Sequence, residues 1–133
     1  MAKEKKSDVD YVRKALNELI VVILYVSDLS FEEFILDSKT IDATMLRFLQ
    51  MAEHVKKLST QYREKYKQIG RYKIIRFRNR IAHKYRKLDL KDIYEFMSKD
   101  LYRLTKIFLE TLREVNETES AVYKVVVRED SNL

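Results

Sequence analysis

An all-α fold, an antiparallel bundle of four long helices with shorter ones between them, is predicted by three observations. Proline is absent and glycine occurs once, at Gly70, so little in the chain breaks a helix. Leu, Lys, Glu and Arg, all good helix formers, are abundant. Apolar residues recur at intervals of three and four through most of the length, the period of one helix face.

Taken in order, residues 1–6 read as a frayed, charged start. Ser7 or Asp8 caps a first helix to about residue 26, with Val9, Val12, Leu16, Leu19, Ile20 and Ile23 on one face. Ser30 with Glu33 forms a capping-box pattern that opens a short helical turn through Phe34. Asp37 or Ser38 caps a second long helix over about 40–58, lined by Ile41, Met45, Phe48, Ala52 and Val55. Ser59 begins a short helix that Gly70 ends. A third long helix covers 71–84, and Asp89 caps a fourth that runs to about 115 along Leu90, Ile93, Met97, Leu101, Leu104 and Phe108. Together they make one bundle domain, 1–116, and a tail, 117–133, whose VYKVVV run sits between polar residues and is read as disordered or partner-binding.

Composition excludes several functions. Without cysteine there is no disulfide framework, thiolate metal site or cysteine nucleophile, which suits a reducing cytoplasm. A single glycine rules out the phosphate-cradling loops of P-loop and Rossmann proteins. The longest apolar run, 19–26, is far short of the roughly 20 residues that span a bilayer, so no membrane association is expected. His54 and His83 come without a close set of His, Asp and Glu at metal-site spacing, and no metal or cofactor is expected.

Charge is where the chain becomes specific. Residues 63–87 hold eleven Lys or Arg and one acid, Glu64, so this segment outweighs the chain's whole net charge of +6 and leaves the remainder acidic. Interleaved with Tyr66, Tyr72, Phe77 and Tyr85, such a segment suits a polyanion, and RNA is the expected partner. The candidate binding residues are Arg71, Lys73, Arg76, Arg80, Lys84 and Arg86.

Within this segment lies Arg78-Asn79-Arg80-Ile81-Ala82-His83-Lys84-Tyr85. At about 100° per residue, Ile74, Ile75, Phe77, Ile81, Ala82 and Tyr85 form one apolar arc, with Arg78 inside it and Asn79 and His83 off its edge. A cation in an apolar arc is costly unless something satisfies it, either a structural acid such as Glu53 or a subunit interface. Arg78, Asn79 and His83 are the groups a metal-independent ribonuclease needs. An imidazole can move the 2′-hydroxyl or leaving-group proton, and a guanidinium can hold the charge developing on the phosphate. Arg78 and His83 diverge by about 140° on one helix, so either the helix ends near His83 or a second subunit completes the site.

The segment RNRIAHKY resembles the R-x-x-x-x-H-x-Y motif of the HepT toxins of the HEPN superfamily. The resemblance covers most of the chain except its ends: FEEFILDSKTIDATMLRFLQMAEHVKKLS, YREKY, RYKIIRFRNRIAHKY and LDL follow in the family's order. It departs just before the motif, where Arg71, Tyr72 and Arg76 replace the Pro-Trp pair and glycine of many relatives. The resemblance implies an α-helical homodimeric ribonuclease paired with a minimal nucleotidyltransferase antitoxin, MntA. Arg78 and His83 match the cleaving residues, Asn79 a supporting one, and Tyr85 the tyrosine that the antitoxin adenylylates. The alternatives are a non-catalytic, substrate-binding or regulatory subunit of such a nucleotidyltransferase and a plain RNA-binding bundle.

Overall fold

The computed structural model describes residues 2–84 and 89–114, and every described element is helical. In chain order they are α1 (Ala2–Val26), α2 (Phe31–Ile35), α3 (Ser38–Lys56), α4 (Thr60–Lys65), a 3₁₀ turn (Lys67–Ile69), α5 (Arg71–Lys84), α6 (Leu90–Glu95), a π-turn (Phe96–Asp100) and α7 (Leu101–Glu114). The all-α expectation is met. The 117–133 tail lies outside the described residues.

Local chemistry sets most of the boundaries. The Ser30 hydroxyl accepts from Glu33 N–H at 3.2 Å and the Glu33 carboxylate accepts from Ser30 N–H at 3.0 Å, a complete capping box that opens α2. Asp37 caps α3 by accepting from Thr40 N–H at 3.0 Å, and Asp89 caps α6 by accepting from Lys91 N–H at 2.9 Å. Gly70 ends the 3₁₀ turn with φ 66°, a left-handed conformation that costs a side-chain-bearing residue energy.

Two expectations are corrected. Helix α1 starts at Ala2 rather than at 7 or 8, because Asp8 is not its cap. Asp8 is buried, and its carboxylate accepts from Ser59 N–H at 2.8 Å and Ser59 O–H at 2.7 Å. Ser59 in turn caps α4 by accepting from Tyr62 N–H at 3.1 Å, so an acid within α1 fixes a cap fifty-one residues away. The fourth long helix is not uniform either. Its seam residues Ile93, Met97 and Leu101 are four apart, a spacing that drifts around a regular α-helix, and the wider π-turn over Phe96–Asp100 takes up the drift.

Helix α1 lies between α3 and α7, and α3 carries α5 on its other side. Contacts fix antiparallel neighbours: Asp8 meets Ser59 and Glu18 meets Arg47 along α1 and α3, whereas Arg71 meets Lys56 and Phe77 meets Phe48 along α3 and α5. Leu16, Leu19, Met45, Phe48, Ile81, Leu104 and Phe108 fill the centre. Phe48 meets Phe77 at 5.0 Å and Phe96 at 5.1 Å, both edge-to-face, and Phe77 stacks on Phe96 at 4.3 Å. This trio joins α3, α5 and the π-turn.

Replacing Asp8 with alanine strands the Ser59 donors and is expected to cost about 1–3 kcal/mol in urea unfolding. Asp10→Ala, which removes only an exposed 3.6 Å pair with Arg13, should stay within about 0.5 kcal/mol.

Candidate active site and basic surface

Helix α5 carries nearly every candidate residue, and its orientation decides what each can do. Ile74, Phe77 and Ile81 face the core. Ile75 is half-buried and Ala82 is exposed, so the expected arc is narrower than the sequence suggests. The α3 helix takes the adjoining flank and leaves the remaining two sides of α5 open.

Arg78 sits on the α3 flank at the edge of the buried stripe. Its Nε lies 3.0 Å from Glu53 Oε1, with the side chains 28% and 41% exposed. Both atoms are enclosed without an aligned hydrogen bond, so the contact is an ion pair held by proximity. Arg78 Nη1 also donates to Asn79 Oδ1 at 3.1 Å. The arginine in an apolar surround is therefore satisfied within the chain by the acid the sequence offers.

His83 is exposed and lies in a shallow groove of about 390 Å³ along the outer side of α5, with Arg71, Tyr72, Ile75, Arg76, Asn79 and Arg80. The structure thus brings His83 together with Asn79 and the cations Arg76 and Arg80, whereas Arg78 does not line this groove. Asn79 connects the two, since it lines the groove and accepts from Arg78. Every wall of the groove comes from a single helix.

The other candidates divide by exposure. Lys73, Arg76 and Arg80 are exposed, and Arg80 lies over the Phe77 ring at 5.8 Å. Arg71 is half-buried and donates to the Lys56 carbonyl at 3.3 Å; burial, with Arg63 nearby, pulls its pKa down. Tyr85, Arg86 and the Lys84 side chain lie outside the described residues. Of the described aromatics in the basic segment, Tyr72 alone is exposed, at 75%. Phe77 is core, and Tyr66 is buried and donates to Glu114 at 2.8 Å; burial and that carboxylate push its phenol well above the ordinary range. His54 is half-buried on α3 and outside the groove, and burial lowers its pKa. Among the described residues, no group of three His, Cys, Asp or Glu could hold a metal ion, and no helix is long and apolar enough to cross a membrane.

A family model described as "Ribonuclease HepT-like" matches residues 15–112, which contain α3, α5, about half of α1 and most of α7. The chain belongs to the HepT-like ribonuclease family. Among curated proteins it is 25% identical to a Methanocaldococcus jannaschii protein named a gamma-glutamylcyclotransferase and candidate RNase, over 86% of this chain and 52% of that one. It thus spans about half of that relative's length. It is 28% identical to a second protein of the same organism, named a candidate RNase, over 72% of this chain and 83% of the relative. A candidate RNase of Caldanaerobacter subterraneus subsp. tengcongensis is also 28% identical, over 78% and 93% of the two chains. No solved structure gives a significant match.

Because Arg78 and Glu53 are both partly exposed, solvent screens their attraction, and a double-mutant cycle of Arg78→Ala with Glu53→Ala should give a coupling of about 0.5–1 kcal/mol. A coupling of several kcal/mol would show that the pair acts as a buried structural element.

Proposed function

We propose that the chain is a metal-independent endoribonuclease, the toxin of a toxin–antitoxin pair, and that it cleaves RNA with Arg78 and His83. The observation that carries this is family membership across 15–112 together with an exposed His83 on a cation-lined face of the helix that also bears Arg78. His83 moves the proton as the ribose 2′-oxygen attacks phosphorus. The bond from phosphorus to the 5′-oxygen breaks, leaving a 2′,3′-cyclic phosphate and a 5′-hydroxyl. Arg78 offsets the charge that builds on the phosphate oxygens, with Glu53 holding its guanidinium and Asn79 linking it to the His83 groove.

The roughly 140° between Arg78 and His83 supports a homodimer as the working unit, because a groove walled by one helix is half a cleft. In a two-fold pair, a second α5 supplies the missing wall. An MntA-type nucleotidyltransferase would silence the enzyme by adenylylating Tyr85, two residues beyond His83. The added nucleotide brings negative charge and bulk to the face that RNA must reach.

The engagement of Arg78 by Glu53 favours a second reading, a non-catalytic subunit of the nucleotidyltransferase in which Arg78 is structural. The two differ in one experiment. Wild-type protein should degrade RNA in EDTA and leave cyclic-phosphate ends, with His83→Ala and Arg78→Ala each slowing cleavage by about 10²-fold or more. Variants that cleave as fast as wild type remove the ribonuclease site proposed here, and a wild type inert toward RNA supports the subunit reading. Intact-mass measurement after co-expression with the cognate nucleotidyltransferase should find AMP added, and Tyr85→Phe should abolish the addition.

A further inference from the structure

A second groove, of about 450 Å³, runs along the side of α5 that faces α7 and the π-turn, away from Arg78. That volume is in the range of sites that enclose a small ligand, about 300–1,000 Å³. Lys73, Arg76 and Arg80 line one wall, Arg103 of α7 the other, and Asp100 is the single acid among the lining residues. Lys73 and Arg76 have no ion-pair partner among the described residues. Arg103 Nε is 3.7 Å from Asp100 Oδ1, an exposed pair that can open when a competing anion arrives.

Three features decide what this groove fits. From Lys73 to Arg80 the cations follow about 10 Å of helix axis, a row rather than a convergent nest, which suits a strand of phosphates better than one compact anion. Phe77 and Phe96 form the floor, but they stack on each other at 4.3 Å, so their faces are occupied and are not a platform for bases. Contacts here would therefore go to the phosphate backbone and be independent of sequence. Arg76 and Arg80 also line the His83 groove, so the two depressions meet at a shared pair of cations.

We infer that this groove is a track for the RNA backbone, continuous with the His83 groove, in which Arg103 binds phosphate and Asp100 limits how tightly the strand is held. The inference rests on RNA being the substrate. It gives Arg103, sixteen residues beyond the basic segment's far end at Lys87, a role that charge counting along the chain cannot supply.

The test is binding of a short fluorescent oligouridine in EDTA, in full-length protein carrying His83→Ala so that the probe survives. Arg103→Ala and Lys73→Ala should each weaken binding by about three- to tenfold at low salt and flatten the salt dependence by about 0.7 in slope. Asp100→Asn should tighten binding by about two- to fivefold, because it frees Arg103 and removes a carboxylate from the track. Opposite signs at Asp100 and Arg103 support the track; unchanged affinities, or weakening by both, overturn it. Competition by inorganic phosphate or AMP as effective per mole as the oligomer would also overturn it, in favour of a small-anion site. Protein that cleaves RNA yet ignores these substitutions loses the track and keeps the ribonuclease reading. Opposite-signed binding without cleavage by the wild-type chain does the reverse.

Discussion

The seating of α5 by Phe48, Phe77 and Phe96 is the constraint on which the candidate site depends. Each ring belongs to a different element, and each touches the other two at 4.3–5.1 Å. Such contacts contribute about 0.5–1.5 kcal/mol apiece beyond the area they bury, and their edge and face geometry also fixes rotation. Once Phe77 is locked inward, the rest of the helix has no freedom of phase. Arg78 must fall toward α3, Lys73 and Arg80 toward α7, and Asn79 and His83 outward.

Electrostatics then works against folding at this helix and in favour of binding. The first turn of α5 carries Arg71 and Lys73 and no acid, where the helix dipole would favour Asp or Glu. Packing has to offset that repulsion, and it does so with a left-handed Gly70 entry, the Arg71 contact to the end of α3 and three buried apolar side chains. A surface of this charge, carried at some cost in stability, is coherent with membership of a ribonuclease family.

Much of this was legible in the sequence, because the relevant signals are local. Capping at Ser30, Asp37, Ser59 and Asp89 depends on residues two or three apart, and the left-handed exit at Gly70 on one residue. The 140° divergence of Arg78 and His83 follows from helix geometry, and Glu53 was identifiable as a partner acid for Arg78. What escaped depends on tertiary pairing. Asp8 looks like an N-cap from its neighbours, yet it serves Ser59 across the bundle. Tyr66 looks like a stacking aromatic among cations, yet burial consumes it. Arg103 and Asp100 resemble an ordinary i, i+3 surface pair until the fold lays them beside α5.

The π-turn at Phe96–Asp100 has a further meaning for how such a molecule can change. It holds one more residue per hydrogen-bonded ring than the α-helices on either side. Losing that residue would let the segment revert to regular α-helix, in which four residues turn through about the angle that five cover here. Leu104 and Phe108 would stay in the core, and Arg103 would stay beside α5. The same loss farther along α7 would rotate everything beyond it by about 100°. The turn is thus a store of one spare residue: a descendant could lose a codon here and keep the wall opposite the basic helix.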